Sequence, residues 1–121
     1  MGKTIMIVED DQSFHDIYTE MLNDTDYEII RAYDGAEALV KLGEEKPDLI
    51  ILDMILGMMN GDKFFLYLKG MPEYKDIPVI IISNQSKQKY EYLRDMEPNL
   101  MFLDKIVTRE RLIGEIKTKI R

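Results

Sequence analysis

Residues 48–53 read DLIILD, four consecutive apolar side chains closed off by Asp53. A half-exposed strand alternates polar and apolar positions. An unbroken apolar run belongs to a strand covered on both faces, as in a parallel sheet held between helical layers. Asp53 then stands where that strand leaves the core, and in open α/β sheets ligands and chemistry gather at the carboxyl ends of the strands. If other strands also end in reactive groups, they share a rim with Asp53.

They do. Thr4 to Val8, TIMIV, is a first strand followed at once by Glu9, Asp10 and Asp11. Phe14, Ile17, Tyr18, Met21 and Leu22 then recur at the spacing of an amphipathic helix, with Asp11 as its cap and His15 beside the stripe as a partly exposed surface residue. Tyr27 to Arg31 predicts a second strand, and Asp34 with Glu37 a capping-box start for a helix over Ala36 to Glu45. After Asp53, MILGMMNG is a loop by composition, and a third helix runs from about Asp62 to Lys69 with Phe64, Phe65 and Leu68 inward. Val79 to Ile82 is another continuous apolar run, ending in Ser83. A polar helix over roughly Ser86 to Arg94 leads to a fifth strand, Leu100 to Leu103, closed by Asp104 and Lys105. Thr108 caps a last helix striped by Leu112, Ile113, Ile116 and Ile120.

Five strands alternating with five helices wind, by right-handed crossovers, into a doubly wound α/β fold with a parallel sheet. Every strand's carboxyl end then lies on one rim, so Glu9, Asp10, Asp53, Ser83 and Lys105 converge although nearly the whole chain separates them.

Bulk properties agree with one domain spanning residues 1–121: 45% hydrophobic and 32% charged residues, no Cys, and no apolar stretch near the ~20 residues that cross a bilayer. A chain without thiols or a signal peptide suits a reducing cytoplasm. The net charge is −7, divided between a body of −10 over residues 1–100 and a tail of +3 over residues 101–121, the latter on what reads as a solvated helix face. Such an acidic body argues against direct nucleic-acid binding.

Crowded carboxylates stay ionised together when a cation neutralises them. Oxygen ligands without His or Cys select Mg2+, Mn2+ or Ca2+ over zinc, and Mg2+ pairs with phosphate. The Lys105 ammonium and the Ser83 hydroxyl suit phosphoryl oxygens, and an Asp carboxylate can take a phosphoryl group covalently.

IMIVEDD, DLIILD, VIIIS and FLDK, in this order and with Ser83 30 and Lys105 52 residues after Asp53, resemble the response-regulator receiver domain of two-component signalling, in its compact chemotaxis-type form. Gly61, eight residues after Asp53, also matches. The resemblance covers essentially the whole chain. It implies a flavodoxin-like fold with strand order 2-1-3-4-5, and phosphoryl uptake from a sensor histidine kinase or phosphotransfer protein in a Mg2+-dependent reaction, with Mn2+ as a substitute. Asp53 is then the phosphoacceptor; Glu9, Asp10, Asp53 and the Ile55 backbone carbonyl hold the metal; Ser83 and Lys105 hold phosphoryl oxygens; and Ser83 with Phe102 forms the switch. The output is binding to an effector protein or output domain, or homodimerisation, through the fourth helix, fifth strand and fifth helix, where Tyr90 and Tyr92 lie. No external reaction is catalysed.

Three positions depart from the family pattern: Asn84 where a small residue is usual, Ile106 where proline follows the lysine, and Gly57 where proline is common. Ile55 and Gln85 flank the phosphoryl position and are expected to set its lifetime. Two rival readings are a pseudo-receiver that signals without phosphorylation, which retention of all five rim positions argues against, and an Asp-nucleophile hydrolase. The latter needs a general acid two residues after the nucleophile, where this chain has Ile55.

Overall fold

The structure is a computed structural model that describes residues 2–56, 59–84 and 87–120. Five parallel strands, β1 (Thr4–Val8), β2 (Glu28–Ala32), β3 (Leu49–Asp53), β4 (Val79–Ile82) and β5 (Met101–Leu103), form one sheet in the order β2-β1-β3-β4-β5. The strands β1, β3 and β4 are buried at every residue, which is why they carry no polar alternation.

Successive side chains on these strands serve opposite layers. Met6, Val8, Ile50, Leu52, Val79 and Ile81 pack against α2 (Gly35–Glu44), α3 (Gly61–Gly70) and a 3-10 segment (Lys87–Asp95). Ile5, Ile7, Leu49, Ile51, Ile80 and Ile82 pack against α1 (Gln12–Met21) and α4 (Arg109–Lys119). Phe64, Phe65 and Leu68 are fully buried as the pattern predicted.

The caps also follow the sequence. Asp11 accepts from the Ser13 and Phe14 amides. Asp34 accepts from the Glu37 amide at 2.7 Å while Glu37 accepts from the Tyr33 amide at 2.6 Å, a reciprocal arrangement that satisfies two donors at the start of α2. Thr108 caps α4 through the Arg111 amide.

The polar segment before β5 is the expected helix, a nine-residue one of the 3-10 kind, and three other expectations need correction. With three residues per turn, Tyr90 and Leu93 eclipse one another and both reach the core, whereas Lys89, Glu91 and Asp95 are exposed. Tyr90 is therefore buried, and of the two tyrosines Tyr92 is the exposed one, its hydroxyl donating to Asp62. Ile17, counted in the α1 stripe, is 45% exposed, so the buried face of the helix is narrower than its apolar pattern. His15 is fully buried instead of partly exposed. The first turn of α1 leans on the end of β2, where His15 Nε2 donates to the Ala32 carbonyl at 3.0 Å and the ring meets Tyr33 at 4.3 Å.

Candidate functional site

Register levels the strand ends. Val8 pairs with Leu52, Asp53 with Ile82, and Ile82 with Leu103, so Glu9 and Asp53 stand level at the rim and Ser83 and Asp104 follow one residue beyond that line. Continuing the strand alternation, Glu9 and Asp53 point to the α1/α4 side. Glu9 and Asp53 are buried, Asp10 is exposed, and one carboxylate oxygen from each lies within 4.8 Å of the others.

Lys105 enters this group from the loop after β5. Its ammonium lies 3.0 Å from Glu9 Oε1 and 3.2 Å from Asp53 Oδ2. Glu9 Oε2 accepts from the Asp11 amide at 3.1 Å, and Asp53 Oδ1 faces the Ile55 amide at 3.4 Å. Glu9 Oε1 has the ammonium near it but accepts no well-directed hydrogen bond.

Burial, and then repulsion from Asp53, pushes the Glu9 carboxyl up to about 7, against the opposing pull of the Asp11 amide and Lys105. Burial lowers the Lys105 ammonium, but its two carboxylate neighbours outweigh that and hold it above its ordinary value. One lysine thus leaves the acidic cluster short of positive charge. An under-satisfied buried oxygen, three convergent carboxylates and a donor set of oxygen alone fit a hard divalent cation.

Gly61 belongs to this site for a steric reason. A Cβ there would lie 2.4 Å from the Asp53 carbonyl oxygen and 2.7 Å from Met54 Cα, and the Gly61 amide donates to the Met54 carbonyl at 2.8 Å. The start of α3 therefore packs directly on the backbone that carries Asp53.

Ser83 is buried beside the site, its amide held by the Leu103 carbonyl at 3.0 Å. Ser83, Asn84, Tyr90, Phe102 and Ile106 line one cleft of about 730 Å³. Phe102 is half-buried there, with the Arg94 guanidinium 4.7 Å above its ring. The Ile55 side chain is half exposed and Ile106 is 90% exposed. Gly57 and Gln85 lie outside the described residues.

Two site neighbours were read from the sequence as core residues: Phe14, whose ring lies 4.3 Å from the Lys105 ammonium, and Tyr18, whose hydroxyl donates to the Lys105 carbonyl at 3.0 Å. Their helical spacing marked them as buried, but no local signal ties them to a residue almost ninety positions later.

A doubly wound sheet whose rim holds an acidic cation cluster, a hydroxyl and a lysine defines a phosphoryl-handling domain. Residues 5–117 match the response regulator receiver domain family. The polar-differentiation response regulator DivK of Brucella anthropi is 36% identical over 83 residues, 69% of this chain and 68% of DivK. The signal receiver domain of a signal transduction histidine kinase from Syntrophus aciditrophicus is 29% identical with a TM-score of 0.85, covering 98% of this chain and 90% of that one. The chemotaxis protein CheY4 of Vibrio cholerae shares the fold, with a TM-score of 0.90 at 23% identity over 99% of this chain and 100% of that one. The chain belongs to the response regulator receiver domain family. It is a phospho-accepting receiver of two-component signalling, in a family whose members generally bind Mg2+ in an acidic cluster and interact with histidine kinases or phosphotransfer proteins and with effectors. No helix among the described residues is long and apolar enough to cross a membrane.

Proposed function

We propose that Asp53 is the phosphoacceptor, that Glu9, Asp10, Asp53 and the Ile55 carbonyl hold Mg2+ or Mn2+, and that Ser83 and Lys105 hold the phosphoryl oxygens. The observation that carries this reading is the convergence of the Lys105 ammonium on Asp53 and Glu9 within a cluster that still lacks positive charge. Asp53 supplies a carboxylate oxygen that forms the new O–P bond as the N–P bond of a donor phosphohistidine breaks, and the imidazole nitrogen keeps the electron pair. Lys105, already poised at Asp53 Oδ2, neutralises charge on the transferring group. The Ser83 hydroxyl donates to another of its oxygens. A bound divalent ion supplies further neutralisation of the carboxylate and phosphoryl charges.

Phosphorylation draws Ser83 toward Asp53, and the cleft shared by Ser83 and Phe102 has room for the ring to follow. That movement changes the face formed by the 3-10 segment, β5 and α4, which binds an effector or a second copy of the chain. The domain works in the cytoplasm, turns over no external substrate and does not bind nucleic acid directly.

Incubation with Mg2+ and acetyl phosphate tests the assignment by intact-protein mass. A gain of one phosphoryl group that Asp53→Asn abolishes is expected. No gain, or a gain that persists in the variant, overturns it.

A further inference from the structure

We propose that Tyr18 and Phe14, on α1, are positioning residues for phosphoryl transfer that act through Lys105: Tyr18 holds its backbone and Phe14 its ammonium. This rests on the assignment of Lys105 to the phosphoryl site.

The loop after β5 needs such support. Asp104 is exposed, Ile106 is 90% exposed, and the next buried anchor is Val107. Neither side chain flanking Lys105 therefore packs it in place. Residue 106 is not proline, so no ring fixes the backbone either. Lys105 has four rotatable side-chain bonds, and its ammonium must stop within about an ångström of one place to serve as a phosphoryl ligand.

Helix α1 supplies what the loop lacks. The Tyr18 hydroxyl donates to the Lys105 carbonyl at 3.0 Å across 87 residues of sequence. Tyr18 is 1% exposed and packed in the α1/α4 core, so the donor is fixed by its own burial. That burial, with Glu9 and Asp53 nearby, raises its pKa far above neutrality, and it stays a donor throughout the physiological range. One turn earlier, Phe14 places its ring 4.3 Å from the ammonium, on the same side as Glu9 and Asp53, and stacks on Tyr18 at 5.8 Å. Two stacked aromatic residues at i and i+4 thus hold both ends of one lysine. A role in packing alone would need neither the hydroxyl nor an aromatic ring under the cation.

Tyr18→Phe removes the donor and keeps the ring; Phe14→Leu removes the cation's partner and keeps an apolar side chain. Two readouts apply: the rate of Asp53 phosphorylation by acetyl phosphate with Mg2+, measured for each variant alone and combined with Lys105→Ala, and the NMR shift of the Lys105 Hε protons without phosphodonor, measured for each variant that keeps Lys105. In the wild type, the Phe14 ring current displaces those protons upfield. The expected result is about fivefold slower phosphorylation in each variant, a reduced displacement in Tyr18→Phe, its loss in Phe14→Leu, and no further slowing when either change is added to Lys105→Ala. An unchanged rate, an unchanged shift in Tyr18→Phe, or slowing that persists in the Lys105→Ala background overturns the proposal. Should Tyr18→Phe fail to fold, Phe14→Leu decides by the same criteria. A wild type that takes up no phosphoryl group defeats the phosphoacceptor assignment, whereas the shift measurement still reports on how Lys105 is held.

Discussion

The Lys105 ammonium stands 3.0 Å from Glu9 Oε1, placing a lysine of the last loop within the acidic group that follows the first strand. It is the resident counter-cation of the cluster, and from the same position it points at Asp53, the proposed phosphoacceptor. Those two roles pull in opposite directions when Lys105 is replaced.

Lys105→Ala is therefore expected to tighten Mg2+ binding by about tenfold, because an ammonium beside two of the proposed ligand carboxylates repels the incoming ion. The same change slows phosphorylation by acetyl phosphate at saturating Mg2+. Calorimetry and mass spectrometry on one preparation check both. Weaker Mg2+ binding in the variant would show that the lysine organises the cluster more than it competes for it.

Magnesium affinity falls as pH falls. Glu9 is held at about 7, so below that pH the ion must displace a proton, and the affinity drops toward tenfold per pH unit. Stability follows with a definite sign. The folded pKa exceeds the ordinary 4.5, so the native protein binds the extra proton between those values. The metal-free protein loses stability as pH rises through this window, by at most about 3 kcal/mol, and Mg2+ restores it at pH 8. Urea titrations at pH 5 and 8, with and without Mg2+, measure the crossover.

His15 gives the opposite dependence. Its burial pushes the imidazole below its ordinary 6.5, outweighing the hydrogen bond that Nε2 donates to the Ala32 carbonyl. Above 6.5 the ring is neutral in both native and unfolded states. As pH falls below that value the unfolded chain takes up a proton that the native protein resists, and stability is lost. His15→Gln keeps a donor for the Ala32 carbonyl without titrating. In saturating Mg2+, which holds Glu9 as carboxylate, the wild type should lose stability relative to this variant between pH 7 and pH 5.

Glycines 61 and 114 separate a steric requirement from a propensity cost. Gly61→Ala drives a methyl group into the Asp53 carbonyl and Met54 Cα, neither of which is the end of a flexible side chain, and costs roughly 2 kcal/mol or more. It should also slow phosphorylation by moving the Asp53 backbone. Gly114 sits inside α4 with open space where a Cβ would go, so Gly114→Ala stabilises by up to about 1 kcal/mol. Thermal unfolding of the two variants should shift in opposite directions.

The parts of this protein legible in its sequence are those that depend on near neighbours along the chain. Continuous apolar runs located β1, β3 and β4 because a strand buried on both faces has no polar position to alternate with. Asp11, Asp34 and Thr108 announced helix starts because a cap acts within three residues. The carboxylates, hydroxyl and lysine that follow or end β1, β3, β4 and β5 then reached one rim by topology, which brought Glu9, Asp10, Asp53 and Lys105 together.

Features set by packing between distant segments stayed hidden. His15 on α1 looked like a surface residue until the end of β2 covered it. The 3-10 path of Lys87–Asp95 answers to the sheet that Tyr90 and Leu93 must reach, and the segment's own polar composition did not announce it. Gly61 matched a spacing, but its steric reason lies in the Asp53 backbone. The sequence by itself determined the strands, the rim and the charges delivered there, since hydrophobic periodicity and strand ends are local. Tertiary structure alone decided that Phe14 and Tyr18 hold Lys105, because a contact spanning 87 residues exists only once α1 and the last loop meet on the same face of the sheet.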